Sequence, residues 1–147
     1  MTSLDILFVV SGATLLSALL LGRLRIAGSL LTLLYAAQFW GLIRTDSLFG
    51  DPVASSWVVT VLDQPMGWRY DALSWFFAMI TIGAGLAAAV YAAGAWMQRY
   101  RESGRSGHAF HVALAANVFS MLLLVGAGDF LTLFLGWELV SWASFLL

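Results

Sequence analysis

Long apolar runs separated by short polar breaks organise the chain. Each run is nearly free of charge and close to the ~17–25 residues that an α-helix needs to cross a bilayer. The pattern therefore predicts five transmembrane helices, over approximately residues 6–22, 26–43, 72–97, 111–127 and 129–147. No linker divides the runs, so residues 1–147 are predicted to form a single membrane domain.

The longest polar stretch, residues 44–71, joins the second run to the third and holds both prolines. Within it, Trp57–Leu62 is β-branched and aromatic, and Asp63–Gly67 has the composition of a turn. This order is typical of a β-hairpin. Tyr70 and the nearby tryptophans suit the headgroup region, so we expect a short external hairpin lying at the membrane interface.

Composition places the chain in the membrane class. Hydrophobic residues make up 61% of the sequence and charged residues 10%, against roughly a quarter charged in a soluble domain. The fold is therefore predicted to be an all-α integral membrane bundle. Cysteine is absent, which excludes a disulfide, a thiolate nucleophile and a cysteine-ligated metal. We expect no cofactor, no metal and no nucleic-acid partner, since the chain also lacks a phosphate-binding glycine loop, a dinucleotide fingerprint and a basic face.

The arginines predict how the chain is oriented. Lysine is absent, and five of the seven basic residues lie in the two loops 23–25 and 98–107. Basic loops favour the cytoplasmic side. We therefore expect these loops to be cytoplasmic, the N-terminus and residues 44–71 to be external or periplasmic, and the chain to lie in the cell inner membrane.

Glu138 is the ionisable residue inside the last apolar run. At ~1.5 Å rise per residue it lies ~13 Å from Asp129, near the middle of a hydrocarbon core ~30 Å thick. A carboxyl group there favours its neutral form and can exchange protons near neutral pH, above all if a cation approaches and withdraws. Such residues are commonly functional. The alternative is a permanently neutral Glu138 that is hydrogen-bonded to a neighbouring helix, or to Ser141 or Ser144.

Three further residues are candidates for a proton path. Asp129 follows Gly-Ala-Gly and opens the last helix, so an N-cap explains it, while a proton entry or exit point is the alternative. His108 and His111 are three apart, which places them on one face if the fourth helix begins early enough. An interfacial role is favoured over metal ligation, and a proton relay at the cytoplasmic mouth stays open.

Two stretches resemble a known family of membrane proteins. They are Asp129–Leu147, which contains the Gly136-Trp137-Glu138 core, and Tyr70–Phe77, which precedes and opens the third helix. Together with Phe119–Val125, they resemble the antiporter-like proton-translocating subunits of respiratory complex I, multi-subunit Na⁺/H⁺ antiporters, membrane-bound hydrogenases and inorganic-carbon uptake complexes. The resemblance covers roughly residues 57–147 and implies that the chain corresponds to the N-terminal portion of a larger helical bundle.

The resemblance also implies roles and partners. The family's glutamate at the position of Glu138 belongs to the proton path and is thought to pair with a lysine on a later helix. This chain has no lysine, so other membrane subunits or a C-terminal remainder would have to supply a lysine-bearing helix. Any catalysis, such as that of a translocating NADH-quinone oxidoreductase, would belong to the whole assembly.

Two functions follow from these expectations. In the first, the chain takes part in proton or Na⁺/H⁺ translocation within a multi-subunit complex, and Glu138 is its buried protonatable carrier. In the second, the chain is a non-transporting structural or assembly subunit, and Glu138 only ties helices together.

Overall fold

The computed structural model describes residues 1–45, 50–61 and 63–147. Residues 46–49 and Leu62, which belong to the predicted loop 44–71 and its hairpin, lie outside the described residues. The helices are α1 (Ser3–Leu21), α2 (Ala27–Ile43), α3 (Ala72–Ala92), α4 (Ala95–Glu102), α5 (Gly107–Val125) and α6 (Phe130–Phe145). The strands are β1 (Val53–Ala54), β2 (Val59–Val61), β3 (Gln64–Met66) and β4 (Arg69–Tyr70).

The starts of α1 and α5 follow their capping residues rather than the edges of the apolar runs. α1 begins earlier than predicted because the Thr2 side chain accepts from the Asp5 backbone N–H, and the Asp5 carboxylate accepts from Thr2 N–H at 2.6 Å. This reciprocal pair is a capping box. Likewise Ser106 caps α5, so α5 begins before His108 and includes both histidines.

The predicted third helix, 72–97, and the predicted loop 98–107 are both corrected by the structure. α3 ends at Ala92, and the chain resumes after Gly94 as the short helix α4. Most of the predicted loop is thus helical. Arginine, glutamine and glutamate favour helices, and Trp96, Met97 and Tyr100 give α4 an apolar side.

Four of the helices form a closed ring around the core, and α6 packs on its outside. The contacts run from α1 to α2, from α2 to α3, from α3 to α5 and from α5 back to α1, while the main helical neighbour of α6 is α5. Buried apolar side chains such as Leu31, Tyr35 and Ile82 fill the centre of the ring. Within it, Gln38 Nε2 donates to Thr14 Oγ1 at 2.7 Å and links α2 to α1.

The predicted hairpin exists, but its pairing differs from the prediction. β2 pairs with β3 in an antiparallel ladder, so Gln64–Met66, expected to be part of the turn, is a strand. Asp63 lies at the turn with φ 59°, a left-handed conformation that aspartate tolerates better than most residues. Arg69 and Tyr70, which follow the predicted turn, pair with β1.

The strands are tied to one end of the bundle. Arg69 N–H donates to Gly126 O at 2.8 Å, and Gly128 N–H donates to Gly67 O at 2.9 Å. Tyr70, fully buried, donates from its hydroxyl to Leu122 O at 2.9 Å. These bonds connect the start of α3 to the turn between α5 and α6.

The fold is that of a helical, multi-pass membrane protein. Among the described residues, α1, α3 and α5 are long and apolar enough to cross a bilayer, whereas α2 and α6 are apolar but shorter.

Candidate functional site

The helix that carries Glu138 is held by one narrow face. Thr132, Gly136 and Ala143 are its buried residues, and they share one side of the helix, which packs on α5. The backbones of α5 and α6 lie close together at Gly136, where an added Cβ atom would lie 2.9 Å from Leu124 Cα. Small residues permit such close helix contacts in lipid.

Glu138 lies on the opposite face of α6 and is exposed in this chain. Helical periodicity places it beside Phe134, Trp142 and Phe145, whose side chains are 52%, 68% and 84% exposed. This chain by itself does not cover Glu138, and its predicted burial depends on what surrounds α6 in the membrane. The physical reason is that α5 covers only one side of α6.

The two serines that were possible partners of Glu138 are engaged elsewhere. Ser141 Oγ donates to Trp137 O at 2.9 Å, and Ser144 Oγ accepts from Asn117 Nδ2 at 2.9 Å. Within residues 1–45, 50–61 and 63–147, no hydrogen bond or ion pair to the Glu138 carboxylate is formed. The chain thus presents a carboxyl group about 12 Å from the start of α6, at ~1.5 Å rise per residue, surrounded by aromatic side chains.

Asp129 caps α6 and connects it to the strands. One carboxylate oxygen accepts from Thr132 N–H at 2.8 Å, and the other accepts from the Thr132 hydroxyl at 2.6 Å and from Gly67 N–H at 2.9 Å. The Thr132 hydroxyl and the two backbone N–H groups hold the pKa of the Asp129 carboxyl below its usual range. Hydrogen bonding of this kind keeps the carboxylate ionised, which suits a cap.

His108 and His111 both lie at the start of α5, whereas Asp129 lies beyond its other end. The His108 ring packs on Gly22, where a Cβ atom would lie 2.7 Å from His108 Nδ1. His111 is 1% exposed. Each Nδ1 is buried without a hydrogen-bond partner among the described residues. The structure therefore does not bring the histidines together with Asp129 into one site.

In the described part of the chain, no three His, Asp or Glu residues are grouped so that they could hold a metal ion. The four sequence candidates are instead distributed over the two ends of α5 and the outer face of α6.

Asp5 is a polar residue whose structural role sequence reasoning missed. It is fully buried, and its Oδ1 accepts from Ser55 Oγ at 2.6 Å and from Ser56 N–H at 3.0 Å. The carboxylate therefore ties α1 to the segment between β1 and β2. The Thr-x-x-Asp spacing of Thr2 and Asp5 was the available signal, because it is typical of a helix start.

Comparison with known proteins connects this architecture to membrane complexes. No family model matches the chain. An antiporter subunit of Staphylococcus saprophyticus, mnhA2, is 36% identical over 89 residues, which are 60% of this chain and 11% of that protein. NADH-quinone oxidoreductase subunit L of Neisseria meningitidis is 28% identical over 116 residues, 78% of this chain and 16% of that protein. The chain is related to the antiporter-like subunits of membrane complexes.

This relationship confirms the resemblance drawn from the sequence. A solved structure agrees in fold: a chain of the archaeal membrane-bound sulfane sulfur reductase, a respiratory membrane complex, superimposes with a TM-score of 0.76 at 23% identity. The match covers 99% of this chain and 22% of that one. The matched part of this chain thus spans between a tenth and a quarter of the length of these relatives.

Proposed function

We propose that this antiporter-like chain takes part in proton or Na⁺/H⁺ translocation within a multi-subunit membrane complex, with Glu138 as its protonatable carrier. The observation that carries the proposal is the position of Glu138, midway along an apolar helix on the face that the chain leaves uncovered. An ionisable group at this depth is costly unless protein or water surrounds it. A second segment must therefore cover this face.

The covering segment is proposed to carry a lysine or another cation. A nearby positive charge favours the ionised carboxylate, and its withdrawal favours proton uptake. The related proteins are, by name, an antiporter subunit and a subunit of a quinone oxidoreductase, and both names are consistent with ion movement. The chain itself has no lysine, so the cation comes from another membrane subunit or from the remainder of a longer protein.

Five membrane crossings are part of the same proposal. α2 and α6 are shorter than α1, α3 and α5. Ile26 before α2 and Leu146 and Leu147 after α6 extend these apolar stretches to residues 26–43 and 130–147, and ~17 residues suffice for a thin or locally adapted bilayer. α4 has 8 residues and is proposed to lie at the surface. The chain then forms one membrane domain and the N-terminal portion of a larger bundle.

The proposed orientation places the arginine-rich end in the cytoplasm of an inner membrane. Arg25 and Arg101 line one cavity, so the loop after α1 and helix α4 share an end of the bundle, as the basic-loop rule requires. The chain has no cysteine, so a single cysteine at Ser103 can be labelled selectively. Labelling from the cytoplasmic side supports this orientation, and labelling only from the external side contradicts it.

Replacement of Glu138 tests the carrier role directly. Glu138→Gln in the assembled complex should preserve assembly and abolish proton translocation by the path through this chain, because glutamine has similar size but cannot exchange a proton. The measurement is acidification of inverted membrane vesicles, driven by the complex's own reaction. Ser141→Ala, on the same face of α6, is the matched control and should pump normally.

The same experiment separates the structural alternative from the transport function. The aromatic face around Glu138 would also suit a static helix contact. In that case Glu138→Gln would reduce the amount of assembled complex, while the complex that remains would pump at the normal rate. Normal pumping by the assembled variant would refute the carrier role.

A further inference from the structure

A polar cavity lies at the end of the bundle opposite the strands. Its volume is about 600 Å³, and its walls come from α2, α3, α4, α5 and the link between α1 and α2. The polar side chains that line it are Arg25, Gln98, Arg101, Glu102 and His111. The cavity is separate from Glu138, which lies on the outer face of α6.

The cavity carries an excess of positive charge. Arg25 and Arg101 reach it from different elements, and neither forms an ion pair with any residue in the described ranges. The carboxylate in its wall, Glu102, accepts from Gln98 Nε2 at 3.0 Å. Two guanidinium groups that face one space suit an oxyanion, because each can donate two parallel hydrogen bonds to phosphate oxygens.

Two helix N-termini add to this positive potential. α2 begins after Ile26 and α4 begins after Gly94, and neither cap residue provides a side-chain hydrogen bond. Ala27 N–H donates to Leu24 O, and Met97 N–H donates to Gly94 O. The remaining N–H groups of each first turn need other acceptors. Gly28 in the first turn of α2 and Gly94 at the start of α4 both line the cavity. Helix N-termini of this kind bind anions.

His111 brings to the cavity wall a buried ring nitrogen that has no hydrogen-bond partner in the described part of the chain. The His111 side chain lines the cavity and is 1% exposed, and its Nδ1 has no hydrogen-bond partner within the described residues. A buried polar atom without a partner costs free energy. A bound oxyanion and its hydration water would supply the missing hydrogen bonds.

Aromatic side chains next to the cavity indicate its depth in the membrane. Trp96 stacks on Tyr100 with ring centroids 4.8 Å apart, and both rings contact Phe110. Tyr91 lies 5.3 Å from Trp96, centroid to centroid. Such clusters favour the level of the lipid headgroups, where basic pockets between helices bind anionic lipids.

We propose that this cavity, here named the arginine cavity, binds the phosphate group of an anionic phospholipid headgroup. Arg25 and Arg101 hold the phosphate, the N-termini of α2 and α4 contribute their N–H groups, and His111 completes the site. The proposal does not depend on the role of Glu138. A free phosphate ion has the same chemistry and is the other source that the experiment distinguishes.

Ligand binding to the chain purified with its native partners tests the proposal. After removal of lipid, the probes are inorganic phosphate and a short-chain phosphatidylglycerol, and the readout is binding to the wild type and to variants. Arg25→Gln/Arg101→Gln should weaken binding by roughly tenfold or more, since charge-assisted hydrogen bonds are lost. Arg23→Gln/Arg99→Gln removes equal charge beside the cavity and is the matched control. Arg25→Lys/Arg101→Lys retains the charge and tests the geometry if the glutamine variant does not fold.

The outcomes are distinct. Binding of phosphatidylglycerol but not of inorganic phosphate, lost in the cavity variants and kept in the control, supports the lipid site. Binding of inorganic phosphate with the same variant pattern supports the site but assigns it to a free anion. If the wild type binds neither probe, or if Arg23→Gln/Arg99→Gln weakens binding as much as the cavity variants do, the proposal is overturned.

Discussion

Asp129 and Glu138 belong to the same apolar segment, yet their surroundings differ completely. Asp129 accepts three hydrogen bonds at the start of α6, whereas Glu138 projects from the middle of the helix with aromatic neighbours. The first arrangement stabilises a fixed carboxylate. The second leaves the Glu138 carboxyl group without a partner among the described residues, as the proposed carrier role requires.

At Asp129 we expect a loss of stability on truncation. Asp129→Ala removes the N-cap of α6 and leaves Gly67 N–H without its acceptor. An N-cap is worth about 1 kcal/mol, and the bond to the strands adds to this. Thermal unfolding of the purified protein measures the effect. Asp129→Asn retains one oxygen that accepts from Thr132 N–H but places an amide NH2 opposite Gly67 N–H. It should therefore recover the capping part of the loss; equal destabilisation by both variants would contradict the capping role.

The stability of the contact that Asp129 makes between α6 and the strands should depend on pH, because the pKa of Asp129 is lowered. Because the folded pKa lies below the unfolded value of about 3.9, the contribution of the carboxylate is complete above that pH and is lost as pH falls through the folded pKa. The protection of Gly67 N–H against hydrogen exchange, measured relative to its intrinsic exchange rate at each pH, should therefore fall below about pH 4. The neutral Asp129→Asn variant should lack this step, and a step that persists in the variant would have another origin.

At the level of elements, the sequence predicted where apolar helices occur far better than which way they face. The runs around α1, α2, α5 and α6 are apolar on all sides, because lipid is as apolar as a protein core. No periodicity therefore marked Thr132, Gly136 and Ala143 as the packed side of α6, and the exposure of Glu138 could not be foreseen. Similarly, the segment after β3 is held by bonds from Gly67 and Arg69 to the turn between α5 and α6, far away in sequence.

The contact between α6 and α5 should be sensitive to a single methyl group. Gly136→Ala places a Cβ atom 2.9 Å from Leu124 Cα, and since backbone cannot move easily, we expect a loss of about 1–3 kcal/mol in unfolding free energy. Gly41→Ala in α2 is the matched control, because no atom lies within 4 Å of its new Cβ. Because alanine has a higher helix propensity than glycine, the unfolding free energy of Gly41→Ala should stay unchanged or rise by up to about 1 kcal/mol. Equal effects in the two variants would contradict close packing at Gly136.

At the scale of the whole molecule, the position of α6 outside the four-helix ring determines how the chain can be completed. The ring of α1, α2, α3 and α5 closes on itself, whereas α6 is covered by α5 on one side and shows its aromatic face on the other. Phe130, Trp137, Trp142 and Phe145 are each more than 60% exposed. The relatives are several times longer than the matched region, and a segment from such a remainder, or from another subunit, can cover this face and bring a cation to Glu138.

The central claim is that this face, with Glu138, is half of a site that another segment completes. A photo-reactive benzoylphenylalanine in place of Trp142, in the assembled complex in its membrane, tests this most directly. Irradiation followed by mass spectrometry should identify a covalent adduct to a transmembrane protein segment that carries a lysine or another basic residue. Adducts to lipid alone, or to a segment without a basic residue, would contradict the claim.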